Sequence, residues 1–68
     1  MPTDKQIVAF KIGARARKFA GEDCVIEGYE LLYTALAEAK ATGDDEMHAL
    51  LEKELAKYET RVAEAQDR

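Results

Sequence analysis

Residues 28–59 read GYELLYTALAEAKATGDDEMHALLEKELAKYE, and this stretch decides the fold. Apolar residues recur along it at alternating spacings of three and four, which is the period of an amphipathic helix. The pattern breaks at Thr42-Gly43-Asp44, where a glycine and an aspartate favour a helix stop and a new helix start. The stretch therefore predicts two antiparallel helices joined by a short turn.

Each helix of this pair has an apolar seam that we expect to face the other. The seam of the first member is formed by Val25, Tyr29, Leu32, Leu36 and Ala39. The seam of the second member is formed by Met47, Leu51, Leu55, Tyr58, Val62 and Ala65. A second stripe on the first member is formed by Cys24, Gly28, Leu31 and Ala35. Because that stripe is rotated by about 100° from the seam, it needs another neighbour. We expect an N-terminal helix to fill this place and to approach closely at Gly28.

The residues before this pair predict the N-terminal helix. Thr3 and Gln6 have the spacing of a capping box, and Gly21 suits a C-terminal stop. Asp23 suits the N-cap of the helix that follows. Strands are not predicted, because no stretch alternates with period two and the only proline is Pro2.

The predicted helices span about 4–20, 23–42 and 45–66. The predicted fold is all-α, a three-helix up-down-up bundle in which the helical hairpin is packed by the N-terminal helix. Residues 1–68 are expected to form a single helical domain, because a chain of 68 residues is long enough for one small core only.

Composition narrows the classes of function. The net charge is −4, but residues 1–20 hold five Lys/Arg against one acid, whereas residues 21–68 hold five against thirteen acids. An acidic body repels phosphates, so nucleic acid is not the expected partner. One cysteine cannot form an internal disulfide, which favours a reducing, cytoplasmic location. No run of about 18 apolar residues is present, so membrane insertion is not expected.

The sequence does not predict an enzyme, and no catalytic residue, cofactor or metal is expected. Serine is absent, and no glycine-rich phosphate loop is present. Asp45, His48 and Glu52 share one side of a helix, but one imidazole and two carboxylates on an exposed helix are too few for a tight metal site. Cys24 is flanked by acids, which favours an inert, buried thiol over a reactive one.

The N-terminal helix has two apolar sides. We expect one side to point inward, and it consists of Val8, Ile12, Ala16 and Phe19. The other consists of Ile7, Phe10 and Ala14, and its basic rim consists of Lys11, Arg15 and Lys18 on one side and Arg17 on the other. An apolar strip with a basic rim predicts a binding site for an acidic amphipathic helix of a partner protein. Two alternatives remain: the helix buries both sides within the monomer, or two copies pair through the strip about a two-fold axis to form a homo-oligomer.

The predicted function is therefore a non-enzymatic helical protein-protein interaction module, an adaptor or a small chaperone-like subunit. An alternative is a small acidic regulator or inhibitor that blocks a basic site on a partner protein. That function would use the acidic residues Asp44, Asp45, Glu46, Glu52 and Glu59.

Two short patterns carry a resemblance to a known family. They are Gly28-x3-Leu32-x2-Ala35-Leu36 and Lys53-x4-Tyr58-x2-Arg61-Val62-Ala63-Glu64. Together they resemble helices two and three of MIT (microtubule-interacting-and-transport) domains, three-helix modules related in shape to tetratricopeptide hairpins, over about half of the chain. Leu32 stands where these domains usually have tyrosine, and Gly28 where they prefer alanine. The resemblance implies a groove between helices that receives an amphipathic peptide of a filament-forming or membrane-remodelling partner. The hairpin is also similar to small co-chaperones that shield secretion-needle subunits.

Overall fold

Three helices make up the part of the chain that the computed structural model describes, residues 1–66. They are α1 (Asp4–Gly21), α2 (Val25–Ala41) and α3 (Asp45–Gln66), and each packs against the other two. The expected all-α three-helix bundle is thereby confirmed, with helix ends within two residues of the predicted ones. Asp67 and Arg68, which belong to the predicted single domain, lie outside the described residues. None of the described helices is long and apolar enough to cross a bilayer.

Side chains cap α1 and α3 at their N-termini, as the sequence predicts. The backbone amide of Gln6 donates to the Thr3 hydroxyl at 3.2 Å, and the backbone amide of Thr3 donates to Gln6 Oε1 at 2.9 Å. These two hydrogen bonds complete the capping box. At the start of α3 the Met47 amide donates to the Asp44 carboxylate at 3.0 Å. Gly43 precedes this cap with a φ of 73°, a conformation that favours glycine. The short turn between α2 and α3 is therefore fixed by its own residues.

The turn between α1 and α2 differs from the prediction. Asp23 does not cap α2, which begins at Val25 after a Cys24 N-cap that makes no capping hydrogen bond with its side chain. Asp23 instead adopts a φ of 62°, which reverses the chain direction. Aspartate tolerates this left-handed conformation better than most residues do, because its short polar side chain bonds locally. Asp23 therefore lies in the turn between α1 and α2 and does not cap a helix.

The core is centred on the facing seams of α2 and α3. Its largest fully buried side chains are those of Tyr58, Leu32 and Leu51. Val25, Tyr29, Met47 and Leu55 pack around them and are partly buried. Ala65 is exposed, so the predicted seam of α3 ends at Val62. The predicted seams identify the centre of the bundle, but the seam of α3 does not extend beyond Val62 toward the C-terminus.

The inward face of α1 is formed by small residues and not by the large ones that we expected. The buried residues of this helix are Ala9, Gly13, Ala16 and Ala20. Of the predicted inward residues, Ala16 is buried, Ile12 and Phe19 are partly buried, and Val8 is 46% exposed. Alanine and glycine let the backbone of α1 approach α2 and α3 closely, which bulky side chains would prevent. The rule that favours large apolar residues for the core is correct for Ile12, which packs against both core clusters, but wrong for Val8.

Gly28 also contacts a different neighbour from the expected one. A Cβ atom at this position would meet the ring of Tyr58, which belongs to α3 and not to α1. The Tyr58 hydroxyl donates to the Val25 carbonyl at 2.6 Å, and burial raises the pKa of this hydroxyl above its usual value. Gly28 therefore opens space within the hairpin for a tyrosine that bonds to the first turn of α2.

Candidate functional site

A surface groove with a volume of about 480 Å³ lies between α1 and α3. Its apolar wall is formed by Ile7 and Phe10 of α1 and by Leu50 of α3. Ile7 is 39% exposed and Phe10 is 56% exposed, so folding of the monomer leaves both side chains accessible. The expectation that α1 buries both of its sides is therefore wrong for these two residues. We refer to this surface as the α1–α3 groove.

The rim of the α1–α3 groove is basic. Lys11 contributes from α1, and Lys53 and Lys57 contribute from α3. All three lysines are exposed. Charges on both sides of an apolar wall favour a ligand that carries carboxylates along both edges of an apolar stripe.

A buried carboxylate lies at the floor of the groove. Glu54 is 4% exposed, and its carboxylate accepts from the Arg17 guanidinium at 3.1 Å and from the Lys57 ammonium at 3.5 Å. Gly13 makes room for this side chain, since a Cβ atom there would lie 2.7 Å from Cδ of Glu54. The glycine of α1 and the glutamate of α3 are therefore complementary in shape.

Arg17 connects this floor to the apolar wall. While it bonds to Glu54, its guanidinium carbon lies 5.7 Å from the centre of the Phe10 ring, within the range of a cation–π contact. The salt bridge orients the guanidinium toward Glu54, and the guanidinium lies over the Phe10 ring. The exposed Phe10 side chain therefore has a charged neighbour within the chain.

The structure brings together only part of the predicted binding strip. Ile7, Phe10 and Lys11 line one groove. Arg15 lies on the other side of α1, where it lines a separate depression with Phe19 and Leu31. Ala14 is partly buried and Lys18 is exposed, and neither lines the groove. The predicted rim is therefore divided between two surfaces. A helical wheel of α1 alone does not show where α2 and α3 lie beside it.

The contribution of α3 to the groove was missed from the sequence. Leu50, Lys53 and Lys57 follow i, i+3 and i+7 spacing, which places them on one side of α3. This spacing was the available signal, but it indicates a binding surface only once α1 is known to lie beside it. Glu54 was likewise missed, because a glutamate in a charged helix usually faces solvent.

Three of the acidic residues of the alternative function, Asp44, Glu46 and Glu52, have partners within the chain. The Lys5 ammonium contacts the Asp44 carboxylate at 3.0 Å and the Glu46 carboxylate at 3.5 Å. The hydrogen bond from Lys5 to Asp44 raises the pKa of Lys5. The hydrogen bond from the Met47 backbone amide lowers the pKa of Asp44. The Glu52 carboxylate contacts Nδ1 of His48 at 2.7 Å. This arrangement is typical of a solvated, internally paired surface.

In the described part of the chain, the side chains that could bind a metal or act as a nucleophile do not form a cluster. Among residues 1–66, no three Cys, His, Asp or Glu side chains are grouped so that they could hold a metal ion. The thiol of Cys24 is half-buried and lies 3.6 Å from the Glu22 carbonyl oxygen, to which it donates. Neither feature adds a reactive group to the α1–α3 groove.

A second apolar surface lies on α2. Ile26 is 70% exposed and Tyr33 is 54% exposed, and Tyr29 lies between them in the sequence. The rings of Tyr29 and Tyr33 stack with their centres 5.9 Å apart. We refer to these three residues as the α2 stripe, a surface that the apolar patterns of the sequence do not predict.

Comparison of the chain with family models, with curated proteins and with solved structures gives no match. The resemblance to MIT domains stays a prediction.

Proposed function

We propose that this chain is a non-enzymatic protein-binding module, an adaptor or chaperone-like subunit, whose α1–α3 groove receives an acidic amphipathic helix. The observation that carries the proposal is the exposure of Ile7 and Phe10 beside Leu50 in a groove with a lysine rim. Apolar side chains held between two helices offer the same kind of surface that amphipathic helices bury in helix-in-groove complexes.

The charge of the rim supports a particular chemistry for the ligand. A helix that carries glutamates on both sides of a leucine stripe would place carboxylates near Lys11 on one edge and near Lys53 and Lys57 on the other. Such contacts at the rim set the association rate and the choice of partner more than the affinity. The apolar wall supplies most of the binding energy, because its side chains are removed from water on binding.

The exposure of Phe10 in the apolar wall supports a central role for this ring in binding. Aromatic side chains at the centre of an interface are frequent hot spots, so Phe10 is the residue on which binding should depend most.

The proposal is tested by titration with a synthetic helical peptide of about 20 residues, long enough to form a stable helix. The peptide carries leucines at helical spacing and glutamates on both flanks, and a second peptide carries lysines in place of the glutamates. We expect the acidic peptide to bind and the basic peptide to bind at least ten-fold more weakly, as measured by fluorescence anisotropy.

Two variants assign binding to the groove. Phe10→Glu should weaken binding of the acidic peptide about ten-fold or more, because it removes the central aromatic side chain and adds a like charge. Ala63→Glu adds the same charge at an exposed position of α3 outside the groove, and it should leave the affinity unchanged. Equal losses in the two variants, or no binding by the wild-type chain, would contradict the proposal.

A further inference from the structure

We infer that the helix received by the α1–α3 groove is α2 of a second copy of the chain, bound head to tail. This inference rests on the proposed function and names the partner. The contact is made between two different surfaces, the groove of one copy and the α2 stripe of the next.

The α2 stripe has the side chains that such a groove requires. Ile26, Tyr29 and Tyr33 follow i, i+3 and i+7 spacing, so they lie along one side of the helix. Ile26 and Tyr33 are more than half exposed, and the stack of Tyr29 on Tyr33 holds two rings as one flat unit. Rigid tyrosines bring a large contact area at a low cost in side-chain entropy, as is typical of protein interfaces.

The net charge of α2 is opposite in sign to that of the groove rim. α2, Val25–Ala41, carries Glu27, Glu30 and Glu38 against one basic residue, Lys40, which gives it a net charge of −2. The groove is rimmed by the exposed lysines Lys11, Lys53 and Lys57. α2 is thus itself an acidic amphipathic helix, the class of ligand that the groove favours.

Charge also argues against pairing of two grooves about a two-fold axis. In that arrangement the lysine rim of one copy would face the lysine rim of the other, and like charges would repel across the interface. Contact between groove and α2 stripe replaces this repulsion with attraction. Because the two surfaces are different, each copy that binds leaves one groove and one stripe free, so association continues to larger assemblies.

The test uses two variants that disable opposite surfaces. Phe10→Glu disables the groove and leaves the α2 stripe intact. The double variant Ile26→Glu/Tyr33→Glu disables the stripe and leaves the groove intact. All three positions are substantially exposed, so both variants should keep the wild-type helix content in circular dichroism. Ala63→Glu at an exposed position is the control that matches the added charge of Phe10→Glu.

Sedimentation equilibrium gives the readout. The wild-type chain and Ala63→Glu should show an average mass that rises with concentration to more than twice the 7.6 kDa of a monomer. Each disabled variant alone should remain at 7.6 kDa. An equimolar mixture of the two disabled variants should form a pair that contains one copy of each and does not grow further, because only one intact groove and one intact stripe are then available.

Other outcomes overturn the inference, and they show whether self-association alone or the proposed function as well has failed. A wild-type chain that stays monomeric but binds the synthetic acidic peptide would overturn self-association and leave the proposed function intact. A dimer that is lost in Phe10→Glu but kept in Ile26→Glu/Tyr33→Glu would indicate pairing of grooves. A chain that neither self-associates nor binds the peptide would overturn both proposals.

Discussion

Gly28 of α2 lies against the ring of Tyr58 of α3, so closely that a Cβ atom at position 28 would come within 2.7 Å of Tyr58 Cε1. The ring has little freedom to move away, because it is fully buried and its hydroxyl is bonded to the Val25 carbonyl. The absence of a side chain at one position thus determines how the two helices of the hairpin meet.

Gly28→Ala should lower the free energy of unfolding. Overpacking in a core costs about 1–3 kcal/mol, and the gain in helix propensity of about 1 kcal/mol does not offset an overlap with a fixed ring. Gly21→Ala is the control, because a Cβ atom there would meet nothing within 4 Å. We expect Gly21→Ala to be neutral or stabilising in urea unfolding. A stabilised Gly28→Ala protein would show that the ring of Tyr58 moves more easily than we infer.

Tyr58→Phe should lower the free energy of unfolding by about 1 kcal/mol, because it removes one buried hydrogen bond while keeping the ring. The lost bond is the one from the Tyr58 hydroxyl to the Val25 carbonyl. Tyr33→Phe makes the same chemical change at an exposed position and should have no measurable effect in thermal or urea unfolding. Equal effects of the two substitutions would contradict the role assigned to this bond.

Arg17→Ala should be more destabilising than Glu54→Met. Without Arg17 the buried Glu54 carboxylate keeps only the longer contact with Lys57, and we expect a loss of about 2 kcal/mol. In Glu54→Met the Arg17 side chain, which is 25% exposed, can reach water, and an apolar side chain of similar volume fills the floor of the groove. Urea unfolding of both variants measures the difference, and the reverse order would contradict this account.

The N-cap of α3 should make stability depend on pH below about 4. The pKa of Asp44 is lowered in the folded protein from its ordinary value of 3.8, so its contribution is fully present above that value and is lost as the pH falls through the folded pKa. Asp44→Asn keeps a capping side chain without the charge. The urea midpoint of this variant should therefore change less than that of the wild type between pH 7 and pH 3.

The sequence predicts the hairpin better than it predicts α1. Tyr58 and Leu32 are large apolar residues at regular spacing, so the pattern that places them in a helix also places them in the core. In α1 the same rule selects Val8, which is exposed, and overlooks Ala9 and Gly13. Small residues carry little hydrophobic signal, and their role depends on how closely another helix approaches.

The groove could be predicted only in part for a related reason. Ile7 and Phe10 stand out on the wheel of α1, but the position of α3 beside them is a tertiary fact that no local pattern contains. Lys53 and Lys57 consequently read as an ordinary solvated face until the two helices are placed together. The α2 stripe is not predicted, because Tyr29 belongs to the seam of α2, whereas Ile26 and Tyr33 belong to neither apolar pattern of that helix.

In α1, the residues that are buried against the hairpin differ from the large apolar residues that are exposed to solvent. The buried residues that attach this helix to the hairpin are alanines and a glycine, while Ile7, Val8 and Phe10 are 39%, 46% and 56% exposed. Under the proposed function, mutations at these exposed positions are expected to change which partner is bound more than they change the stability of the fold.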